Sequence, residues 1–174
     1  RKDKMVICVT STESGDGKTF LSTNLAALYS MTGKKTLLID LDLRKPNIHT
    51  KLGLENGMGM SNYLIGDCEI EDILMTNTPF GFDLMRAGTV PPNPVELVHS
   101  DNMTNMINAI REKYDYIVMD TSPIGLVPDA YALINNSDLC LYVIRCMQTN
   151  KSFCKQTLEQ MMEVVDNTEK VQIV

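Results

Sequence analysis

Several things are scarce in this sequence of 174 residues, and each scarcity excludes something. Basic residues are outnumbered, 16 lysines and arginines against 22 acids, for a net charge of −6. A domain with that overall field is a poor binder of nucleic acid. No apolar stretch approaches the roughly 20 residues that span a bilayer, and no secretory signal is visible. Histidine occurs twice, as the isolated His49 and His99, which excludes a zinc site of ordinary spacing. The five cysteines, Cys8, Cys68, Cys140, Cys146 and Cys154, form no C-x-x-C pair. They read as buried free thiols of a reducing compartment, with Cys8 and Cys140 inside apolar strand-like runs. There is no repeat, linker or low-complexity segment.

The remaining composition, 44% hydrophobic and 22% charged, is that of a globular protein with one sizeable core. A single domain over residues 1–174 is expected. The abrupt ends, "RKDKMVI" and "KVQIV", suggest that it is cut from a longer chain on both sides.

Short apolar runs alternate with helical patterns. "MVICVT" (5–10), "TLLID" (36–40), "FDLMR" (82–86), "YIVMD" (116–120), "LCLYVIR" (139–145) and "VQIV" (171–174) are continuous and bounded by turn signals, as strands buried on both faces are. Between them, Leu21, Leu25 and Leu28 share one helix face. Met103, Met106, Ile107 and Ile110 form a second stripe, and Cys154, Leu158, Met161 and Val165 a third. These stripes are core positions. Residues 53–80 hold two short helical pieces and read as an excursion above the sheet. The βαβα order predicts an α/β fold: a doubly wound, mostly parallel sheet with helices on both faces, in three layers.

The chemistry starts at "TSTESGDGKTF" (10–20). Gly15 and Gly17 allow the backbone N–H groups to converge on one oxyanion. Lys18 reaches β- and γ-phosphates, and the Thr19 hydroxyl ligates Mg²⁺. The strand, loop and helix that a phosphate loop requires are all present. The predicted nucleotide-binding stretch is Ser14, Gly15, Asp16, Gly17, Lys18, Thr19 and Phe20, for ATP or ADP with Mg²⁺. The usual opening glycine is replaced by Thr12. "LLIDLDLRKP" (37–46) ends a strand with Asp40 and Asp42, which point the same way in an extended chain. "YDYIVMDTSP" (114–123) ends another at Asp120. Ligands of open α/β sheets bind at these carboxyl ends, where carboxylates can hold Mg²⁺ or its waters. Predicted catalytic residues are Lys18, Asp40, Asp42 and Asp120. Predicted metal ligands are Thr19, Asp40 and Asp120.

The stretches "VTSTESGDGKTFLSTNLA", "LLIDLDLRKP", "AGTVPPNPVELV" and "YDYIVMDTSPIGLVPDAYAL", in this order, resemble the motifs of the bacterial tyrosine kinases. These are P-loop kinase domains similar in fold to the Min/Par-type ATPases. The resemblance implies an ATP-dependent, autophosphorylating protein tyrosine kinase that regulates capsular and exopolysaccharide biosynthesis and export. Its location would be a cytoplasmic domain at the inner membrane. The implied partners are a membrane-spanning polysaccharide co-polymerase region (fused or separate), further copies in a ring, and an opposing phosphatase. It also implies that one of Asp40 and Asp42 is the base for a tyrosine hydroxyl. Family members lack the opening glycine, so Thr12 is expected. "PPNP" (91–94) matches a family loop and is expected to form a rigid extended turn.

The sequence departs from the family at three points. Pro123 is followed by Ile124 where many members have a second proline. The upstream E-x-x-R-x-x-R helix is outside the sequence. The six tyrosines, 29, 63, 114, 116, 131 and 142, form no terminal cluster. The alternative functions are a Min/Par-type switch ATPase and a nucleotide-gated assembly module. The switch class usually carries a second lysine at the position held here by Glu13, whose charge would repel a partner's phosphates.

Overall fold

The computed structural model describes residues 4–174; residues 1–3, part of the expectation of a cut start, lie outside them. The strands are β1 (Met5–Ser11), β2 (Thr36–Leu41), β3 (Leu74–Met75), β4 (Asp83–Met85), β5 (Tyr116–Thr121), β6 (Leu139–Val143) and β7 (Val171–Ile173). The helices are α1 (Lys18–Met31), α2 (Ile48–Lys51), α3 (Met60–Ile65), α4 (Ile70–Ile73), α5 (Pro94–Val98), α6 (Asp101–Arg111), α7 (Asp129–Asn135) and α8 (Lys151–Val164).

The strands form one sheet in the order β3-β4-β2-β5-β1-β6-β7. Every pairing is parallel except β3 with β4. The sequence does not mark β3, because two residues at an edge carry no periodicity.

The continuous apolar runs are explained by cores on both faces. Val6, Cys8, Leu37, Ile39, Ile117 and Met119 point into one core. Their alternate neighbours Ile7, Val9, Leu38 and Val118 point into the other. Successive side chains of a strand face opposite sides, so each strand must be apolar at every position. The expected doubly wound α/β architecture follows. The stripe Met103, Met106, Ile107 and Ile110 of α6 is buried as expected, and Cys154, Met161 and Val165 are buried along α8. Ser100 and Asn150 cap these two helices through their side-chain oxygens.

Helix α1 departs from expectation. Leu28 is 59% exposed, and the buried line runs through Lys18, Ser22 and Ala26. The small Ser22 and Ala26 let α1 sit close to the sheet, while Leu21 and Leu25 pack only partly against the core. "PPNP" does not end in an extended turn: Pro94 is the first residue of α5, where its fixed φ and missing N–H suit a helix start. The cysteines are free, but Cys146 is exposed and Cys68 only half-buried, rather than buried as expected. Among the described residues, no helix is long and apolar enough to cross a membrane.

Candidate active site

The parallel strands β1, β2 and β5 end side by side, and the site is built on their carboxyl ends. After Ser11 the chain turns through residues 12–17 into α1. Gly15 and Gly17 have φ of 95° and 108°, the left-handed region that glycine adopts without penalty. A Cβ on either would meet nothing within 4 Å. Backbone conformation, not crowding, therefore demands glycine at both positions.

Helix α1 begins at Lys18 without any side-chain cap. Its first N–H groups have no partner within the helix and carry the positive end of the helix dipole. They face a cavity of about 540 Å³ lined by Ser14, Gly15, Gly17, Lys18, Thr19 and Asp42 of the predicted set. Lys18 is only 7% exposed, and its Nζ donates to Ser11 Oγ at 3.1 Å. Burial lowers the pKa of this ammonium, and the charges of Asp120, Asp42 and Asp16 oppose that shift.

The acids behind the loop have separate jobs. Asp40 and Asp120 are register partners on β2 and β5, and both are buried. Ser22 Oγ donates to Asp120 Oδ1 at 2.9 Å. Burial raises the Asp120 pKa to about 6, against hydroxyl donors on Thr19 and Ser22. Asp40 is pushed further, to about 8, by burial and then by the charge of Asp120. Its Oδ2 accepts from the backbone N–H groups of Asn47 and Ile48, and its Oδ1 from Asp42. Asp40 thus holds the start of α2. Asp42 is fixed differently: Lys45 N and Ser122 Oγ both donate to its Oδ1, at 3.1 and 2.9 Å.

Four predicted residues do not line the cavity: Asp40 and Asp120, buried behind it, and two of the nucleotide-binding stretch. Phe20 is 71% exposed. Asp16 turns inward, accepting from Glu13 N at 2.8 Å and Thr149 Oγ1 at 2.7 Å. Lys45, Asn47, Lys51 and Arg145 line the cavity as well, and the sequence reading did not find them. Lys45 and Asn47 lie within eight residues of Asp40, so proximity was an available signal. Arg145 had none: it arrives from the end of β6, where its Nη1 donates to the Gly15 carbonyl at 3.2 Å.

Four cationic side chains, an uncapped helix start and one lining carboxylate make this cavity a receptor for a polyanion. That donor set fits a nucleotide polyphosphate. Among the described residues, no three His, Cys, Asp or Glu side chains are grouped to hold a metal ion. The Thr19 hydroxyl with Asp120 behind it fits the sparse protein coordination typical of Mg²⁺, which keeps waters and phosphate oxygens as its other ligands.

Comparison with known proteins is consistent with this geometry. The family described as AAA domain matches residues 4–173. The putative tyrosine-protein kinase CapB of Staphylococcus aureus is 37% identical over 150 residues, 86% of this chain and 66% of that protein. Tyrosine-protein kinase CpsD of Streptococcus pneumoniae is 37% identical over 163 residues, 91% of this chain and 72% of that protein. The kinase domain of Escherichia coli tyrosine kinase ETK superposes with a TM-score of 0.91 at 29% identity, covering 98% of this chain and 67% of that one. The chain therefore spans about two thirds of the length of such relatives.

Proposed function

The chain belongs to the family of bacterial tyrosine-protein kinases, and from that premise we propose that it transfers the γ-phosphoryl group of ATP to tyrosine hydroxyls. The observation that carries the reading is the shared cavity. It sets Lys18, Thr19 and the open start of α1 on one wall and the anchored carboxylate of Asp42 on another.

The roles follow from the geometry. The N–H groups at the start of α1 and the Lys18 ammonium bind the β- and γ-phosphates. Lys45, Lys51 and Arg145 add positive charge around the same anion. Bound Mg²⁺ would neutralise developing charge on the phosphates, with Thr19 as ligand and Asp120 behind it. Asp40 holds Asn47, Ile48 and with them α2, which carries Lys51. Asp42 is the base: it accepts the proton as the tyrosine oxygen bonds to phosphorus and the bond to ADP breaks. Ser122 and Lys45 N keep that carboxylate oriented.

Residues 1–174 act as one kinase unit in this reading. Its setting is capsule or exopolysaccharide export, on the cytoplasmic face beside a membrane-spanning co-polymerase region. Ring assembly and an opposing phosphatase complete the proposal. The switch-ATPase alternative is disfavoured by Glu13. Its carboxylate accepts from Asn150 N at 3.4 Å, at the start of α8, so it is engaged within its own chain and carries the wrong charge to meet a partner's nucleotide.

The test is phosphotyrosine formation by the full-length protein with Mg·ATP, read by mass spectrometry. The expected result is transfer that Lys18→Ala and Asp42→Asn each abolish. Nucleotide hydrolysis without any phosphotyrosine, on the protein itself or on a tyrosine copolymer, would overturn the reading.

A further inference from the structure

The phosphate loop is held by a single distant stretch. Four of its residues find partners between positions 142 and 150. Thr12 meets the Tyr142 hydroxyl, and Glu13 accepts from Asn150 N. The Gly15 carbonyl accepts from Arg145 Nη1, and Asp16 Oδ1 from Thr149 Oγ1 at 2.7 Å. Asp16 is 6% exposed, and its other oxygen accepts from Glu13 N at 2.8 Å. Each oxygen of this carboxylate is thus engaged within the chain.

Thr149 is placed for that contact by an unusual turn. Gln148 N and Thr149 N both donate to the Arg145 carbonyl, at 3.1 and 3.0 Å, between β6 and α8. The turn takes Met147 to a φ of 62°, a costly conformation for a residue with a side chain. Met147 is fully exposed, so its own packing does not account for that cost. What the turn achieves is to bring Thr149 Oγ1 back to Arg145 N, from which it accepts at 2.9 Å. A hydroxyl has one hydrogen to donate. With Arg145 N on one lone pair, the Thr149 hydrogen is directed to Asp16.

We propose that Thr149 is a positioning residue for nucleotide binding, acting through Asp16 to keep the phosphate loop in its anion-binding form. The inference rests on the nucleotide-binding part of the kinase reading and adds a residue that does not line the phosphate cavity. Gly15 and Gly17 flank Asp16, and glycine adopts either sign of φ with similar ease. Unrestrained, the peptide planes of residues 15–17 can rotate and present carbonyl oxygens to an anion. A carbonyl and the N–H of the next residue lie in one plane and, in the trans form, point in opposite directions. Arg145 on the Gly15 carbonyl fixes that plane, and Thr149 on the Asp16 side chain fixes the residue that follows. The N–H directions are then set before a phosphate arrives, so binding does not bear the ordering cost.

Two measurements on the full-length protein test this. In the first, Thr149→Val keeps the shape and removes the hydroxyl. It is expected to weaken Mg·ADP binding about tenfold or more by calorimetry, the effect of one charge-assisted hydrogen bond. KM for ATP should rise alike, while kcat on a glutamate–tyrosine copolymer stays within about threefold. Thr149→Ser should bind as the parent does, and Thr149→Val should add no further loss in an Asp16→Ala background. An unchanged ADP affinity in Thr149→Val, even with a lowered Tm, overturns the positioning role and leaves the nucleotide reading standing. An equal loss in Thr149→Ser, or the full tenfold loss on top of Asp16→Ala, overturns it too. No Mg·ADP binding by the parent overturns the nucleotide reading itself. The second measurement needs no variant. In the nucleotide-free parent, the Glu13 amide that Asp16 holds should be protected from hydrogen exchange, read by mass spectrometry with fragmentation to single residues. Exchange there at the rate of an unstructured peptide overturns the proposal.

Discussion

Thr12 Oγ1 lies 2.7 Å from the hydroxyl of Tyr142, and both residues are wholly buried beneath the phosphate loop. The two are 130 positions apart. Thr12 occupies the place of the usual opening glycine, and its hydroxyl would be a stranded polar group without Tyr142. The loop and β6 are thereby joined. Tyr142→Phe is expected to destabilise the protein by about 1–3 kcal/mol, the cost of leaving a buried hydroxyl unpaired. Adding Thr12→Val removes the stranded group, so the double variant should recover part of the loss. Denaturant titrations of the four proteins in the cycle measure this; strictly additive losses would show that the bond has no role.

Lys18 tests the phosphate cradle. Its ammonium contributes a charge-assisted contact of roughly 1.5–3 kcal/mol. Lys18→Ala should weaken Mg·ADP binding by about tenfold to over a hundredfold, as read by calorimetry. Because the charge of the ammonium lowers the pKa of the buried Asp120, the variant should raise that pKa.

Asp42 separates chemistry from binding. It lines the cavity opposite the helix start but is held by Ser122 and Lys45 N. Asp42→Asn keeps the shape and removes the proposed base. Phosphoryl transfer should fall by about 10²–10⁴-fold while ADP affinity changes little. A variant that transfers phosphate at the parent rate would remove Asp42 from the catalytic set.

The buried acids predict a pH dependence. Asp40 and Asp120 are raised from 3.8 to about 8 and about 6. The folded chain therefore keeps protons that the unfolded chain releases near pH 3.8. Between that pH and about 8 the native state binds more protons, so the stability due to these two groups falls as pH rises. For the nucleotide-free protein, Tm should decline between about pH 5 and about pH 8. Asp40→Asn, whose amide does not titrate, should flatten the upper part of that decline. A Tm that rises across this interval in the parent would contradict the assigned shifts.

None of the six tyrosines is exposed. Tyr142 and Tyr114 are buried, and Tyr29 stacks on Tyr116 with ring centroids 3.7 Å apart. A neighbour's active site cannot reach the hydroxyls of Tyr142 and Tyr114 without dismantling the core. In the full-length protein, phosphotyrosine should map outside positions 29, 63, 114, 116, 131 and 142. Peptide mapping by mass spectrometry checks this; phosphate on Tyr142 or Tyr114 would contradict their burial.

The sequence alone determined what depends on neighbours along the chain. A strand buried on both faces needs an unbroken apolar run, so β1, β2 and β5 were legible with their acids at the ends. A left-handed turn into a helix needs glycine, so the loop at Gly15, Gly17 and Lys18 was legible too, as was the methionine stripe of α6. The tertiary structure decided what depends on residues far apart. It brought Arg145 from β6 to the Gly15 carbonyl and set Tyr142 under Thr12. It gave both oxygens of Asp40 to backbone N–H groups, and it turned Asp16 away from the cavity toward Thr149. Leu28 shows the limit on a helix: the apolar pattern names a face, but the depth at which α1 meets the sheet is set by the small side chains of Ser22 and Ala26. Spacing encodes direction from the backbone. The partner met in that direction is fixed only when strands distant in sequence pair and bring their loops to one edge.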